Sequence, residues 1–432
     1  MITSLYTAIS GLSASGTSLS VISDNIANMN TIGYKASRVA FGDVLSQTLT
    51  GIAGSSQVGR GVLVSGVSPL FTQGSFETTE SVLDLAVDGD GMFIVNDGNA
   101  SYYTRAGQFS ISKEGYITNP DGLVLQGYLA DESGNITGAV GSLNIANVQS
   151  VAKVTSTADI ALNLDSTSEI QAVAFTLDGN GDSVNDDPVN YNFSSTITVY
   201  DSQGGAHQVT LYFEKTAANS WTVHYVHADP SNPNLLVEAG TQALTFDVNG
   251  ALVNDNAGTG INFNFGTSVT SPQAILFNYG TGTGETPPGT GLDGTTQFAT
   301  DFAVLSLNQN GYTAGSLKNM QISADGVITG IFTNGQTRAI GQIALAKFIA
   351  PDMLTKLGRN LFAESYDSGQ PIVGAASTSG LGRVLSNTLE LSNVDLAEQF
   401  VKMISAQRGF QANSRIITTT DELMQELVNL KR

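Results

Sequence analysis

Cysteine is absent from all 432 residues. Disulfides, thiolate catalysis and cysteine-ligated metals are thereby excluded together. Basic side chains are scarce as well: Lys and Arg number 18 against 38 Asp and Glu, for a formal net charge of -20. No basic face can neutralise phosphates, so neither nucleic acid nor an anionic membrane surface is an expected partner. Long apolar runs are also missing. No stretch of about 18 apolar residues is present to insert into a membrane. The first turns of sequence hold neither a basic n-region nor an unbroken apolar h-region, so no secretory signal peptide is expected.

What the chain has instead is glycine, 47 residues of it, with abundant Thr, Val, Asn and Ser. That composition favours short strands and tight turns, spread by length over about two to four domains. The two ends break the pattern. From Ser392 onward Val394, Ala397, Val401, Ile404, Ala412, Ile416, Leu423, Leu427 and Leu430 recur at steps of three and four, with Arg408 and Thr419 as polar interruptions. A flanking row of Leu396, Phe400, Met403, Phe410, Ile417, Met424 and Val428 widens the stripe. Ser392 and Asn393 read as N-caps, Asp395 and Glu398 suit the first turn, and Lys431 and Arg432 suit the far end of the dipole. A helix of this length is roughly 55 Å long at about 1.5 Å per residue, too long and one-sided to stand alone in water. At the other end Leu5, Leu12, Leu19 and Ile26 fall seven apart with Ala8, Ser15, Ile22 and Met29 between them, a heptad seam that stops near Asn30. Such ends suit a shared coiled coil, or a helical pair covering the chain's own β core.

The run Leu19-Ser-Val-Ile-Ser-Asp-Asn-Ile-Ala-Asn-Met-Asn-Thr-Ile-Gly-Tyr-Lys35 closely resembles the N-terminal signature of the bacterial flagellar axial proteins, the rod and hook subunits. Ser392-Asn-Val-Asp-Leu-Ala-Glu398 with Gln407-Arg-Gly-Phe-Gln-Ala-Asn413 resembles the same family's other end, and Ala344-Leu-Ala-Lys-Phe348 with Pro351–Phe362 its segment leading back toward the axis. In that family the terminal helices form a coiled coil in the inner wall of a tube. The resemblance therefore implies axial helices at 1–35 and 392–432. Leu5, Leu12, Leu19, Ile22, Ile26, Val401, Ile404, Ile416, Leu423 and Leu427 would form the assembly interface. Alone in solution such ends should be largely disordered and fold as subunits stack. Ser13, Ser15 and Gly16 are small and uncharged, which would permit close packing and limited slippage.

Between the ends, residues 36–88 turn to extended, Gly-punctuated text: Val39 to Leu45, Gly61 to Val67 and Val82 to Val87, with Pro69 and Gly74 at a bend. The resemblance implies a long hairpin touching neighbouring subunits, while the strands alone would equally suit a linker. Asp88-Gly-Asp-Gly-Met-Phe-Ile-Val95 opens a β domain; its Gly-x-Gly lacks the helix and Lys of a phosphate loop. Ile111-Ser-Lys-Glu-Gly-Tyr-Ile-Thr118 is echoed by Ile322-Ser-Ala-Asp-Gly-Val-Ile-Thr329. One discontinuous domain is therefore expected over 89–145 plus 285–362. Residues 146–284 then form an inserted, outer antiparallel domain, a sandwich or small barrel, with alternation in Thr196–Tyr200, Val209–Phe213 and Trp221–Tyr225. Gly280 to Gly294 reads as a return linker. The Gly- and Ser-rich 363–391 reads as an extended segment poorly ordered until neighbours clamp it.

Chemical sites are few. Asp178, Asn180, Asp182 and Asp186 offer oxygen ligands in a candidate calcium loop. Val189 stands where a bidentate Glu belongs and Ser183 where a sharp-turn Gly belongs, so an acidic solvated loop is the plainer reading. His224 and His227 should leave a strand on opposite faces as surface histidines, with only His207 besides, and zinc is not expected. No Ser, His and Asp grouping has a nucleophile-elbow sequence. Neither catalysis nor a cofactor is expected.

The fold class expected is thus mainly β, with nested antiparallel domains between two terminal helices. The expected role is that of a structural subunit polymerising into a tube. Within the family a large insertion favours the curved, flexible hook over the straight distal rod. A free extracellular β-rich binding module would normally carry a signal peptide and needs no helical seams. The resemblance further implies a helical homo-polymer, with the distal rod, hook cap, hook-length control and hook-filament junction proteins as partners. It implies delivery to the exterior through the flagellar export apparatus.

Overall fold

Period-two burial organises the middle of the chain. Val209, Leu211 and Phe213 are fully buried on Ala206–Ala217, and across the ladder Leu211 opposes Tyr225 and Phe213 opposes Val223 on Ser220–Ala228. Alternation of this kind puts one face of each strand into a core. The computed structural model describes residues 2–45, 49–51, 54–56, 59–146, 148–258 and 260–429. Unit 1 comprises Met1–Val148, Lys318–Ile331 and Thr337–Arg432, and unit 2 comprises Gln149–Leu317 and Phe332–Gln336. The chain is mainly β, with a helix at each end. No described helix is long and apolar enough to cross a membrane.

Unit 2 is a sandwich of two sheets around one core. Phe193–Tyr200, Ala206–Ala217, Ser220–Ala228, Leu236–Phe246 and Leu252–Asn254 are neighbours in one sheet. Ile261–Phe263, Gln273–Asn278, Thr157–Asn163 and Ala303–Gln309 make the other. Trp221, Tyr225, Phe263, Phe277 and Tyr279 fill the space between them, and the Tyr225 and Tyr279 hydroxyls share a 2.8 Å hydrogen bond. Two expectations are corrected here. Ala303–Gln309 pairs with Thr157–Asn163, Ile160 opposite Leu307, so residues 285–317 belong with the insertion rather than with the discontinuous domain. The echoed hairpins mark the other unit only from residue 318 onward, which is why they overreached. The Gly280 to Gly294 stretch is no linker either: Thr283 N donates to Leu252 O at 3.0 Å and Leu252 N to Gly291 O at 2.8 Å, laying the loop over the Leu252–Asn254 edge.

Unit 1 is tied together by Thr337–Lys347. Its Gly341–Ile343 stretch pairs with Gly127–Leu129, Leu345 and Ala346 pair with Phe93 and Met92, and Ala344–Lys347 pairs with Ile372–Ala375. The two echoed hairpins both lie in this unit and turn alike. Gly115 N donates to Ser112 O at 2.9 Å and Gly326 N to Ser323 O at 2.8 Å. Both glycines sit at positive φ, 82° and 76°, where a side chain would be strained. Ser37–Leu45 and Gly59–Pro69 form an antiparallel hairpin, with residues 46–48, 52–53 and 57–58 outside the described residues. Leu85–Asp88 is not part of it but pairs with Arg383–Ser386. The segment 363–391 is therefore clamped within the chain, since Thr388–Glu390 also pairs with Phe76–Thr78. Gly- and Ser-rich strands need only a backbone ladder to be ordered, and the N-terminal half supplies it.

Candidate assembly interface

Helix α1 covers Ile2–Ala27 and helix α2 covers Leu396–Asn429. Asp395 caps α2: its Oδ1 accepts the amides of Ala397 at 2.8 Å and Glu398 at 3.2 Å, placing a carboxylate on the positive end of the dipole. Asn393, expected as a cap, is engaged instead by the Ala36 amide at 2.7 Å and by Leu70 O at 2.9 Å. Leu430, Lys431 and Arg432 lie outside the described residues.

The helices run antiparallel and touch through small or polar side chains. A Cβ added to Gly11 would lie 2.7 Å from Asn413 Nδ2, and one added to Gly409 would lie 3.4 Å from Ser15 Oγ. Asn25 Nδ2 donates to Gln399 Oε1 at 3.3 Å. Ala8, Ala14, Ile22 and Asn25 are the buried side chains of α1 among the described residues. The face turned inward thus follows the intervening seam positions, Ala8 and Ile22 buried and Ser15 beside Gly409, because small side chains such as Ala8 and Ser15 allow closer helix axes than leucines do. Leu5, Leu12, Leu19 and Ile26 are left half-buried, and Ile22 is occupied within the chain. On α2 four of the five expected interface residues stand in the open. Val401 is 69%, Ile404 51%, Ile416 44% and Leu423 56% exposed, while the side chain of Leu427 lies outside the described residues. Phe400, Phe410 and Met424 are exposed as well, on other sides of the helix. A groove of about 710 Å³ between α1, α2 and the hairpin is lined by the apolar Ala14, Ile22, Val39 and Phe41 and by the charged Arg38, Glu398 and Lys402, and provides a concave counterpart of mixed character.

Where the helices rise from the β sheets, the two terminal motifs meet. Asn25 brackets Ser37, accepting its amide at 2.8 Å and donating to its carbonyl at 2.9 Å. Tyr34 donates to Asp24 Oδ2 at 3.0 Å, and burial together with that carboxylate pushes the phenol well above its usual range. Below them lies a buried ion cluster. Glu390 receives Lys35 Nζ at 2.6 Å, Arg105 Nη1 at 3.2 Å and the Gly74 amide at 2.9 Å, with Lys35 1% and Glu390 0% exposed. Burial draws the Lys35 ammonium below its ordinary range, against the pull of Glu390. Sequence reasoning singled out neither Glu390 nor Arg105. In a chain with so few charges, Lys35 inside a motif was the available signal that a partner was needed.

Four family models match in order along the chain. They are the flagellar basal body rod protein over 5–35, the flagellar hook protein FlgE/F/G D1 domain over 86–182, the flagellar basal body protein FlaE D2 domain over 163–312, and the flagellar basal body rod FlgEFG protein C-terminal over 385–430. The flagellar hook protein FlgE of Escherichia coli is 35% identical over 436 residues, 98% of this chain and 99% of that one. The chain belongs to the flagellar hook protein family. The hook protein of Borreliella burgdorferi is 36% identical over 462 residues, covering 100% of both chains. The crystal structure of Helicobacter pylori flagellar hook protein FlgE2 aligns with a TM-score of 0.47 at 15% identity, over 71% of this chain and 98% of that one.

The other flagged residues of this hook family member lie in unit 2. Asp178 Oδ1 accepts the amides of Gly181 at 2.7 Å and Asp182 at 3.1 Å, and its Oδ2 that of Ser183 at 2.9 Å. Asn180 and Asp182 bond each other at 3.1 Å, and Asp186 N closes on Val184 O at 3.1 Å. The loop is thus satisfied by its own turns, and among the described residues no three His, Asp or Glu gather to hold a metal. His224 and His227 do take opposite faces, but both are buried rather than on the surface. His224 lies between Glu214 at 3.0 Å and Glu238 at 2.7 Å, stacked on Phe175. His227 packs against Phe263 and Phe265.

Proposed function

We propose that this chain is the structural subunit of a bacterial flagellar hook, and that it polymerises into a curved, flexible tube transmitting motor torque to the filament. The observation carrying this reading is the row Val401, Ile404, Ile416 and Leu423, exposed along one helix in a chain whose family builds flagellar axial structures. Large apolar side chains aligned on a stable helix face mark an interface. A tube needs two different, complementary surfaces so that copies add without closing in pairs. The convex row on α2 and the groove beside α1 are such a pair. Residues 1–35 and 392–432 would form the axial layer, as a coiled coil completed by neighbouring copies, with 36–88 and 363–391 linking it to the β domains. The work is mechanical and uses neither catalysis nor a cofactor.

The chain would act outside the cell, having passed the flagellar export apparatus unfolded; a sequence free of cysteine has no disulfide to form on arrival. The distal rod, hook cap, hook-length control and hook-filament junction proteins are its proposed neighbours. Electron microscopy of the purified chain at high concentration tests the reading. Curved tubes are expected, straight tubes would make it a distal rod subunit, and monodisperse monomers would refute both. The double variant Val401→Asp with Ile404→Asp should abolish tubes while leaving the melting of unit 2 unchanged.

A further inference from the structure

We propose that Lys35 and Asn393 become joined by an amide bond, a self-catalysed cross-link between the two terminal motifs with Glu390 as its proton relay. The inference goes beyond the polymer reading and does not depend on it. The reacting side chains meet at one carbonyl. Thr72 O accepts Lys35 Nζ at 2.8 Å and Asn393 Nδ2 at 3.1 Å, so amine and carboxamide are drawn to the same oxygen. Glu390 Oε1 lies 2.6 Å from the same Nζ.

An amine attacks a carbonyl only in its unprotonated form, which desolvation favours. Lys35 is 1% exposed, and burial holds its ammonium below the ordinary range against the pull of Glu390. The buried Glu390 carboxylate is in place to take the proton. Asn393 is the electrophile. Its Oδ1 accepts the Ala36 amide at 2.7 Å, a donor aimed at the oxygen on which negative charge develops. Its Nδ2 also donates to Leu70 O at 2.9 Å and Thr72 Oγ1 at 2.8 Å, which fixes the carboxamide plane. Charge favours the product as well. Lys35 and Arg105 set two cations on one carboxylate, and the reaction removes one of them, leaving Glu390 paired with Arg105.

The step balances without an oxidant. Glu390 takes a proton from the Lys35 ammonium, and the free amine forms a bond to Asn393 Cγ. The Cγ–Nδ2 bond breaks as the attacking nitrogen passes its surplus proton to Nδ2. Ammonia leaves, takes up the proton held by Glu390 to become ammonium, and restores the carboxylate. The new bond closes the chain from residue 35 to residue 393, a covalent tie that a sequence without cysteine cannot make as a disulfide. Because folding is what brings the three side chains together, the bond forms after folding.

Peptide mass spectrometry of the purified full chain tests the assignment. No Lys or Arg precedes Lys35, so trypsin should release residues 1–38 joined to 384–402, lighter than the two peptides together by one ammonia. Lys35→Arg keeps a cation on Glu390 and should give no joined peptide. Glu390→Gln should slow the appearance of the joined peptide about a hundredfold in freshly synthesised chain, with circular dichroism showing that the fold is kept. Unjoined peptides 1–35 and 384–402 alone, from monomers and from any tubes alike, overturn the proposal. Loss of ammonia confined to an unjoined 384–402 marks a succinimide at Asn393, and a joined peptide lighter by one water marks a bond to Glu390. Either result overturns it too.

Discussion

Glu390 is fully buried and holds two cations, Lys35 and Arg105, so its removal leaves charge stranded in a low-dielectric site. Breaking one partner of such a buried set costs about 3–5 kcal/mol. Glu390→Ala should therefore destabilise unit 1 by that amount in chemical denaturation followed by circular dichroism. Trp221 is the only tryptophan and lies in unit 2, so the fluorescence transition should stay in place. Gly33 in the same joint has φ 68°, and a Cβ there would press into the Ala106 amide nitrogen. Its place in the N-terminal motif is a backbone requirement. His227 gives the pH dependence of unit 2. Burial pushes its imidazole below the ordinary 6.5, with His207 adding to the effect against Ala228 O and Asp229. As pH falls through that ordinary value, the unfolded chain takes up the proton first. The stability is thus complete above about pH 6.5 and lost below it. The Trp221 melting temperature should fall between about pH 7 and about pH 5, and His227→Phe should show a smaller fall.

Among the elements, the strands with period-two text at Val209–Phe213 and Trp221–Tyr225 were readable because each pairs with its sequence neighbour and buries one face. Ala303–Gln309 was not, since an edge strand exposed on both faces carries no alternation. The helices were half legible. Spacing showed that α1 has an apolar seam, but not that its Ala8 and Ile22 positions would turn inward and leave the leucines half-buried. Gly16 makes that difference testable. Nothing lies within 4 Å of its would-be Cβ, whereas the corresponding position on Gly11 meets Asn413. Gly16→Leu should leave the monomer's helix content unchanged yet alter the curvature or flexibility of tubes, seen by electron microscopy. Normal tubes would show that no neighbour packs there.

For the molecule as a whole, the exposed row on α2 means that tertiary structure leaves part of its apolar surface for other copies. Helices whose apolar faces are so poorly covered open easily, whatever their length. Amide exchange in residues 2–27 and 396–429 should be fast in dilute monomer and strongly slowed in tubes. Protection already complete in the monomer, without assembly at any concentration, would remove the need for a shared axis.

The sequence alone determined the chemistry that is closed to this chain, the helices at its two ends, the β character between them and the family to which its terminal motifs belong. Those features depend on composition and on spacings of a few residues, which local geometry reads directly. Only the tertiary structure decided which face of α1 turns inward, that Lys35 and Arg105 meet Glu390, and that residues 285–317 join the insertion. Each of these joins residues far apart in the chain, and which partner wins depends on how closely backbones can approach, a quantity that no local pattern encodes.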